Sequence, residues 1–204
     1  MNTKCAVFLL ALSLGGCVAP QPHPVTPPGG WGKYSGPIRT EWEQGRKMRL
    51  LEDAKYISPD GKVWLAPKGW SIDGASIPKA FWCSVGGPYE DAYRDASVFH
   101  DVACDQRTAR WQDVHYLFYT GMRCSRVDEQ RAKIMYAAVY RFGPRWDEPK
   151  TDAHGNAVRS LFSTAVRRNP TEAEAMRIES WIRNNNPSLK QIEETTALPG
   201  ASAP

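Results

Sequence analysis

Three amphipathic segments between residues 91 and 142 constrain the fold of this chain most. Residues 91–104 place small and apolar side chains on one helical face, and residues 111–124 repeat the 3.6-residue spacing. A third helix is predicted over residues 128–142, with an N-cap aspartate at its start and Gly143-Pro144 at its end. Because the links are short, we expect the first two helices to form an antiparallel hairpin.

A short β portion precedes these helices. Residues 49–57 are predicted to form one strand, and residues 62–66 return as its partner. Ser58-Pro59-Asp60-Gly61 between them has the composition of a tight turn, and residues 70–72 follow as another short strand. A fourth helix is predicted from Thr171, where Thr171 and Glu174 form a capping box, to about residue 184. The predicted fold class is therefore α+β, a small antiparallel β-hairpin or sheet followed by a bundle of about four helices.

The first residues resemble a bacterial lipoprotein signal. Lys4 precedes an apolar run over residues 6–14, and Leu14-Gly15-Gly16-Cys17 follows as a small-residue cleavage site. The run is shorter than the ~20 residues of a spanning helix. The resemblance implies that residues 1–16 are removed and that Cys17 becomes the acylated first residue, a lipid anchor. Val18 is not the aspartate associated with inner-membrane retention, so the resemblance implies a periplasm-facing position at the outer membrane.

The remaining chain divides by composition. Residues 18–37 contain six prolines and four glycines, so residues 17–37 are predicted to be the lipidated cysteine and its tether. Residues 38–185 are predicted to form one globular domain, and residues 186–204 a disordered tail. The predicted partners are the membrane, through the anchor, and an envelope protein or lipid.

Charge and cysteine content narrow the classes of function. The net charge of +4 is small, and its basic residues are scattered rather than clustered, which argues against a nucleic-acid partner. After processing, the domain retains Cys83, Cys104 and Cys124 in an oxidising compartment. Three is an odd number, so at most one internal disulfide forms and one thiol is left over.

A cluster of short motifs spans the centre of the chain. Asp73-Gly74-Ala75-Ser76-Ile77-Pro78 is followed by His100-Asp101 and then by Phe142-Gly143 and Trp146. This order resembles an uncharacterised domain family of phage genomes and their bacterial hosts, marked by D-G-A-S-I-P, H-D-x-x-Y and F-G-x-x-W, over about residues 56–146. The chain departs from that pattern twice, with Cys104 in place of the tyrosine and His115 in place of an aspartate on the next helix.

Helical geometry places those two replacements beside His100. The turn of the expected antiparallel hairpin is centred near residues 107 and 108. Two residues whose numbers add up to about 215 therefore lie opposite each other on the two helices, so His100 faces His115. Cys104 lies one turn after His100 on the same face. Cys104 and Cys124 would be about 20 Å apart at opposite ends of the hairpin. We therefore predict a Cys83–Cys124 disulfide, with Cys104 free near His100.

Three hypotheses for this cluster stay open. In the first, His100 and Asp101 are the catalytic base and calcium ligand of an envelope hydrolase, similar to secreted phospholipases of the A-two type. In the second, His100, Cys104 and His115 bind a transition metal such as zinc.

In the third hypothesis the motif is structural, and Asp73, Gly74, Ser76 and Pro78 shape a turn to which His100 and Asp101 are hydrogen-bonded. The chain lacks the G-x-S-x-G, H-E-x-x-H and P-loop motifs of several enzyme classes. We therefore favour a binding or structural envelope lipoprotein, of the phage-exclusion type that the family resemblance implies, with a hydrolase or a metal-binding protein as the alternatives.

Overall fold

A computed structural model of the protein describes residues 30–74, 77–161 and 169–195. It has the α+β class predicted from the sequence, with short antiparallel strands before the main helices. The strands are β1 Lys33–Tyr34, β2 Thr40–Trp42, β3 Met48–Leu50, β4 Ala54–Ile57, β5 Val63–Ala66, β6 Ser71–Ile72, β7 Lys150–Thr151 and β8 Ala157–Val158. The helices are α1 Trp82–Val85, α2 Arg94–Gln106, α3 Trp111–Cys124, α4 Glu129–Phe142, α5 Glu172–Asn185 and α6 Leu189–Glu194.

The strands form three small antiparallel sheets, β1–β4–β5, β2–β3–β6 and β7–β8. The predicted turn at residues 58–61 joins β4 to β5, with the Gly61 N–H donating to the Ser58 carbonyl at 2.9 Å. Gly61 has a φ of +83°, which glycine adopts without steric cost. The predicted hairpin is therefore confirmed.

The prediction of one strand over residues 49–57 is wrong, because the chain changes sheet halfway. β3 pairs with β2 and β6, whereas β4 pairs with β1 and β5. Between them the Leu51 N–H donates to the Arg39 carbonyl at 3.0 Å, and the Asp53 carboxylate accepts from the Lys68 N–H at 2.8 Å. These contacts with distant segments turn the chain, and local composition does not indicate them.

The predicted helices are largely confirmed, since their end signals are local. α3 occupies the predicted range, and α4 begins after the Asp128 N-cap, whose side chain accepts from the Arg131 N–H. α5 begins at the predicted capping box of Thr171 and Glu174. The first helix starts later than predicted, at Arg94, after a 3-10 turn over Asp91–Tyr93.

Ordered structure extends further at both ends than composition predicts. Residues 30–37 belong to the predicted tether, but β1 pairs with β4, and the Trp31 ring packs edge-on against Tyr119 at 5.7 Å. Residues 189–194 belong to the predicted disordered tail, but they form α6 with a capping box at Ser188, and Ile192 is buried. In both places apolar side chains join the core. The signal segment and Cys17 lie outside the described residues.

The core has two parts, and helices α2 and α3 contribute to both. One part packs these helices against α4, α5 and α6, and the other packs them under the β-sheets. The α2–α3 hairpin is therefore the middle layer of the domain, and its facing residues are shielded from both sides. Among the described residues, no helix combines the length and the apolar character required to cross a bilayer.

Candidate functional site

The α2–α3 hairpin brings His100, Cys104 and His115 together. His100 Nε2 lies 3.0 Å from His115 Nδ1, and Cys104 Sγ lies 3.6 Å from His100 Nε2. One ligand-type atom from each of the three residues lies within 4.8 Å of the other two. We call these three residues the His–Cys–His cluster. The structure thus confirms the opposition of His100 and His115 that helical geometry predicts.

A backbone carbonyl determines which nitrogens of the cluster carry protons. His115 Nε2 lies 3.1 Å from the Pro144 carbonyl oxygen, which can only accept, so His115 carries a proton on Nε2. Burial lowers the pKa of His115 well below its usual range, the adjacent His100 lowers it further, and the Pro144 hydrogen bond opposes them. Neutral His115 therefore has a lone pair on Nδ1, and His100 Nε2–H donates to it.

The close approach of the Pro144 carbonyl depends on Gly143. A Cβ atom at position 143 would lie 2.2 Å from the Val139 carbonyl oxygen and 3.1 Å from His115 Cε1. Glycine therefore lets the chain pass directly against the imidazole at the end of α4. The sequence places Gly143 in a motif, but nothing local indicates that the following carbonyl orients His115.

Aromatic rings enclose the cluster. The His100 ring packs on Phe118 at a centroid distance of 4.9 Å, and the His115 ring contacts Trp111 at 5.5 Å and Tyr140 at 6.4 Å. Both histidines have no exposed surface. This enclosure excludes water from the imidazoles and favours the uncharged form of His115.

Cys104 lies at the edge of the cluster, next to a surface cleft. Cys104 is 8% exposed and lines an open cleft of about 370 Å³ between β6 and α2. The cleft is also bordered by charged residues, namely Lys47, Asp73, Asp101, Asp105 and Arg107. A small solute therefore reaches the cluster most directly from the Cys104 side.

Asp101 is oriented toward the signature loop. Its Oδ2 accepts hydrogen bonds from the Gly74 N–H at 2.8 Å and from the Asp73 N–H at 3.3 Å. Gly74 has a φ of +85°, and a Cβ there would lie 2.8 Å from the Pro88 side chain. Asp101 therefore connects α2 to the turn after β6, as the structural hypothesis predicts for this residue.

The other predicted motif residues have separate positions. Pro78 precedes a 3-10 turn over Lys79–Phe81, and Ser76 lies outside the described residues. The Asp73 side chain forms an ion pair with Arg46 at 3.3 Å on the surface. The predicted loop is thus tied to the β2–β3 turn by Asp73 and to α2 by its backbone amides.

The structure does not show the predicted Cys83–Cys124 disulfide. Neither Cys83 nor Cys124 forms a disulfide. Cys83 is exposed on α1, a short helix that the sequence does not indicate, whereas Cys124 Sγ donates to the Gly32 carbonyl at 3.3 Å. Burial also raises the pKa of the Cys124 thiol. The prediction assumed that Cys83 leads directly into α2, but α1 and a 3-10 turn intervene.

Comparison with known proteins extends over the same central region. Residues 48–139 match a family described as "Protein of unknown function (DUF1353)". Two uncharacterized proteins of Sinorhizobium fredii are similar to the chain. Protein y4jT is 45% identical over 99 residues, covering 48% of this chain and 30% of y4jT. Protein y4iH is 41% identical over 97 residues, covering 48% of this chain and 41% of y4iH.

The chain therefore spans less than half the length of each of these curated relatives. No solved structure matches it. The resemblance to an uncharacterised family, expected from the motifs, agrees with this match. All three residues of the His–Cys–His cluster lie within the matched range.

Proposed function

We propose that this protein is a lipid-anchored envelope protein whose domain binds a transition-metal ion, Zn²⁺, through His100, Cys104 and His115. The observation that carries the proposal is the convergence of two imidazole nitrogens and one thiol within 4.8 Å. The role is binding rather than catalysis. The anchor at Cys17 places the domain on the periplasmic side of the outer membrane.

The spacing of the cluster fits tetrahedral zinc. Zinc–nitrogen bonds of about 2.0–2.1 Å and a zinc–sulfur bond of about 2.3 Å place two nitrogen ligands about 3.3 Å apart, and a nitrogen and a sulfur about 3.6 Å apart. The corresponding distances here are 3.0 Å for His100 Nε2 to His115 Nδ1 and 3.6 Å for Cys104 Sγ to His100 Nε2. The two imidazoles need to separate slightly, and the third pair, Cys104 Sγ and a His115 ring nitrogen, lies within 4.8 Å.

The chemistry of the donors also favours zinc. A thiolate with two neutral imidazoles is a ligand set typical of zinc, and burial already keeps His115 neutral. The His115 Nε2–H bond to Pro144 orients the ring and leaves Nδ1 as the donor atom, which is the usual outer support of a metal-bound histidine. Binding would displace the thiol proton of Cys104, and the proton on His100 would move to Nδ1.

Two features support binding over hydrolysis. His100 has no exposed surface, so a lipid ester cannot reach its imidazole without rearrangement of the helices. Asp101 Oδ2 accepts from two backbone amides, and these donors hold one of the two oxygens of the carboxylate that the hydrolase hypothesis assigns to calcium. The hydrolase remains the second candidate, because Asp101 and Cys104 border the same open cleft.

Metal analysis tests the proposal. We would purify the chain from residue 17 onward, with Cys17→Ser, under reducing conditions, saturate it with zinc and remove the excess. About one zinc per chain is expected for this protein and for the control Cys83→Ser, whose thiol is exposed on α1. Cys104→Ser is nearly isosteric but lacks the thiolate, and its zinc affinity should fall by more than about a hundredfold. A residue that only supports a ligand through a hydrogen bond costs less than this when it is replaced.

Cobalt substitution and a second control complete the test. A thiolate-to-cobalt charge-transfer band is expected with Cys83→Ser and absent with Cys104→Ser. His115→Gln should lose the metal, and His154→Gln, in the exposed β7–β8 turn, should retain it. Substoichiometric zinc in the parent protein, or full retention in a folded Cys104→Ser variant, would overturn the metal proposal.

The anchor and the hydrolase alternative are tested separately. Mass spectrometry of protein extracted from membranes should find an acylated N-terminal peptide beginning at Cys17, and Cys17→Ala should abolish it. An unmodified mature N-terminus would contradict the anchor. Calcium-dependent hydrolysis of phospholipid that disappears in a folded His100→Gln variant would favour the hydrolase.

A further inference from the structure

The β1–β4–β5 sheet has one face in the core and one face in solvent. Its inner face is closed by Tyr34, Tyr56 and Ala66, which pack toward α2 and α3. Its other face carries five outward side chains, which together we call the outer sheet face: Lys33, Lys55, Ile57, Val63 and Leu65.

The outer sheet face combines contiguous apolar surface with positive charge. Ile57, Val63 and Leu65 are 43%, 52% and 54% exposed. Ile57 pairs with Val63 across β4 and β5 and with Lys33 across β1 and β4, while Lys55 pairs with Leu65. Directly opposed residues lie within about 5.5 Å of each other, so the three apolar side chains adjoin and the two lysines border them. None of the five outward positions is acidic.

The outer sheet face lies close in sequence to the proposed anchor at Cys17. β1 is the first strand of the described structure, and its Lys33 follows Cys17 by 16 residues. At roughly 3.4 Å per residue, this stretch of chain reaches at most about 55 Å. A short tether gives an effective concentration on the order of millimolar, so an intrinsically weak contact with the membrane becomes populated.

We propose that the outer sheet face docks on the anionic phospholipid surface of the membrane that holds the Cys17 anchor. This inference rests on the proposed lipid anchor. Apolar side chains that enter the headgroup region, with lysines beside them, are the pattern by which peripheral proteins bind anionic lipid. A stable protein partner would need about 20–30 residues on each side and an interface depleted of lysine, and this face has neither property.

Docking would orient the domain as well as hold it. The sheet would lie against the lipid, while the α4–α5 side of the domain, on the far side of the α2–α3 hairpin, would face the periplasm. The lipid anchor then supplies attachment and the outer sheet face supplies orientation.

Vesicle flotation tests the docking without the anchor. The chain from residue 17 onward with Cys17→Ser contains every described residue but cannot be acylated. It should float with vesicles of phosphatidylcholine containing 30% phosphatidylglycerol more than with pure phosphatidylcholine, and salt should reduce the binding. Val63→Ser/Leu65→Ser should lower the partition coefficient by about tenfold or more. Met176→Ser, at a 61% exposed position on α5, is the matched control and should have no effect.

Charge variants supply an independent readout. Lys55→Gln should weaken binding to the anionic vesicles by roughly fivefold, whereas Lys190→Gln, at an exposed position on α6, should leave it unchanged. Equal effects of the face and control variants, or no binding of the parent protein, would overturn the docking proposal. A dimer in analytical ultracentrifugation that depends on the outer sheet face, in a protein that does not bind vesicles, would also overturn the docking proposal. It would show that this face binds a second copy of the chain instead. Because Cys17 is replaced throughout, failure here is distinct from failure of the anchor, which mass spectrometry at Cys17 decides.

Discussion

Replacement of Asp101 separates a structural role from a catalytic one. Its carboxylate accepts a short hydrogen bond of 2.8 Å from the Gly74 N–H and a longer one of 3.3 Å from the Asp73 N–H. A hydrogen bond to a charged group contributes about 1.5–3 kcal/mol, and a longer bond contributes less. Asp101 is half-buried, so water partly replaces the lost acceptor in a variant. We therefore expect Asp101→Ala to lower the free energy of unfolding by about 2 kcal/mol.

The size of this effect can be checked by two measurements. Urea denaturation followed by circular dichroism should give the loss directly, and the Tm should fall by about 4–8 °C for a domain of this size. Asp101→Asn keeps one acceptor oxygen without the charge, so it should lose about 1 kcal/mol. Asp105→Ala is the control, because Asp105 is exposed and its Arg159 contact is 3.7 Å, and its effect should stay within about 0.5 kcal/mol.

Two outcomes would refute the reasoning about Asp101. Equal stability of Asp101→Ala and Asp105→Ala would mean that the two backbone hydrogen bonds contribute nothing measurable. An Asp101→Asn variant of unchanged stability that loses calcium-dependent lipid hydrolysis would assign Asp101 to a catalytic site instead.

Three further predictions concern the cysteines, a glycine and pH. In the metal-free native protein a maleimide should label exposed Cys83 fast and Cys104, which is 8% exposed, much more slowly; equal rates would contradict the burial of the cluster. Gly74→Ala should destabilise by about 1–3 kcal/mol more than Gly69→Ala in urea denaturation, since both glycines have positive φ but only a Cβ at residue 74 meets neighbouring atoms within 4 Å. Equal losses of stability in the two variants would mean that the positive φ alone causes the destabilisation. Because folding lowers the pKa of His115, its contribution to stability is complete above the unfolded pKa of about 6.5 and is lost as pH falls below it. The unfolding free energy of chelator-treated protein should therefore decrease between pH 7.5 and 5.5 by up to about 1.4 kcal/mol per pH unit, and a flat profile would contradict a buried neutral imidazole.

Some of the candidate site follows from sequence because helices are periodic and their end signals are local. The N-caps at Asp128 and Thr171 and the helical range 111–124 depend on residues within one or two turns. When two such helices are joined by a short link, the number of residues on each side of the turn determines that His100 lies opposite His115. That pairing could therefore be predicted without knowledge of the rest of the fold.

Other features could not be predicted, because they depend on contacts between distant segments. The break between β3 and β4 follows from bonds to Arg39 and Lys68, and the free Cys124 follows from its position beside Gly32. Neither contact has a signature in the residues around it. Segments that composition assigns to a tether or a tail become ordered where their apolar residues reach the core.

The sequence by itself determined the α+β class, the four main helices and the three donor residues, since these depend on periodicity, turn chemistry and helix caps. Only the tertiary structure decided how the donors are supported. Gly143 allows the Pro144 carbonyl to approach His115, and that carbonyl, 29 residues away along the chain, determines which nitrogen carries the proton. A hydrogen bond of this kind depends on where α4 ends relative to α3, and helix packing, not local sequence, sets that position.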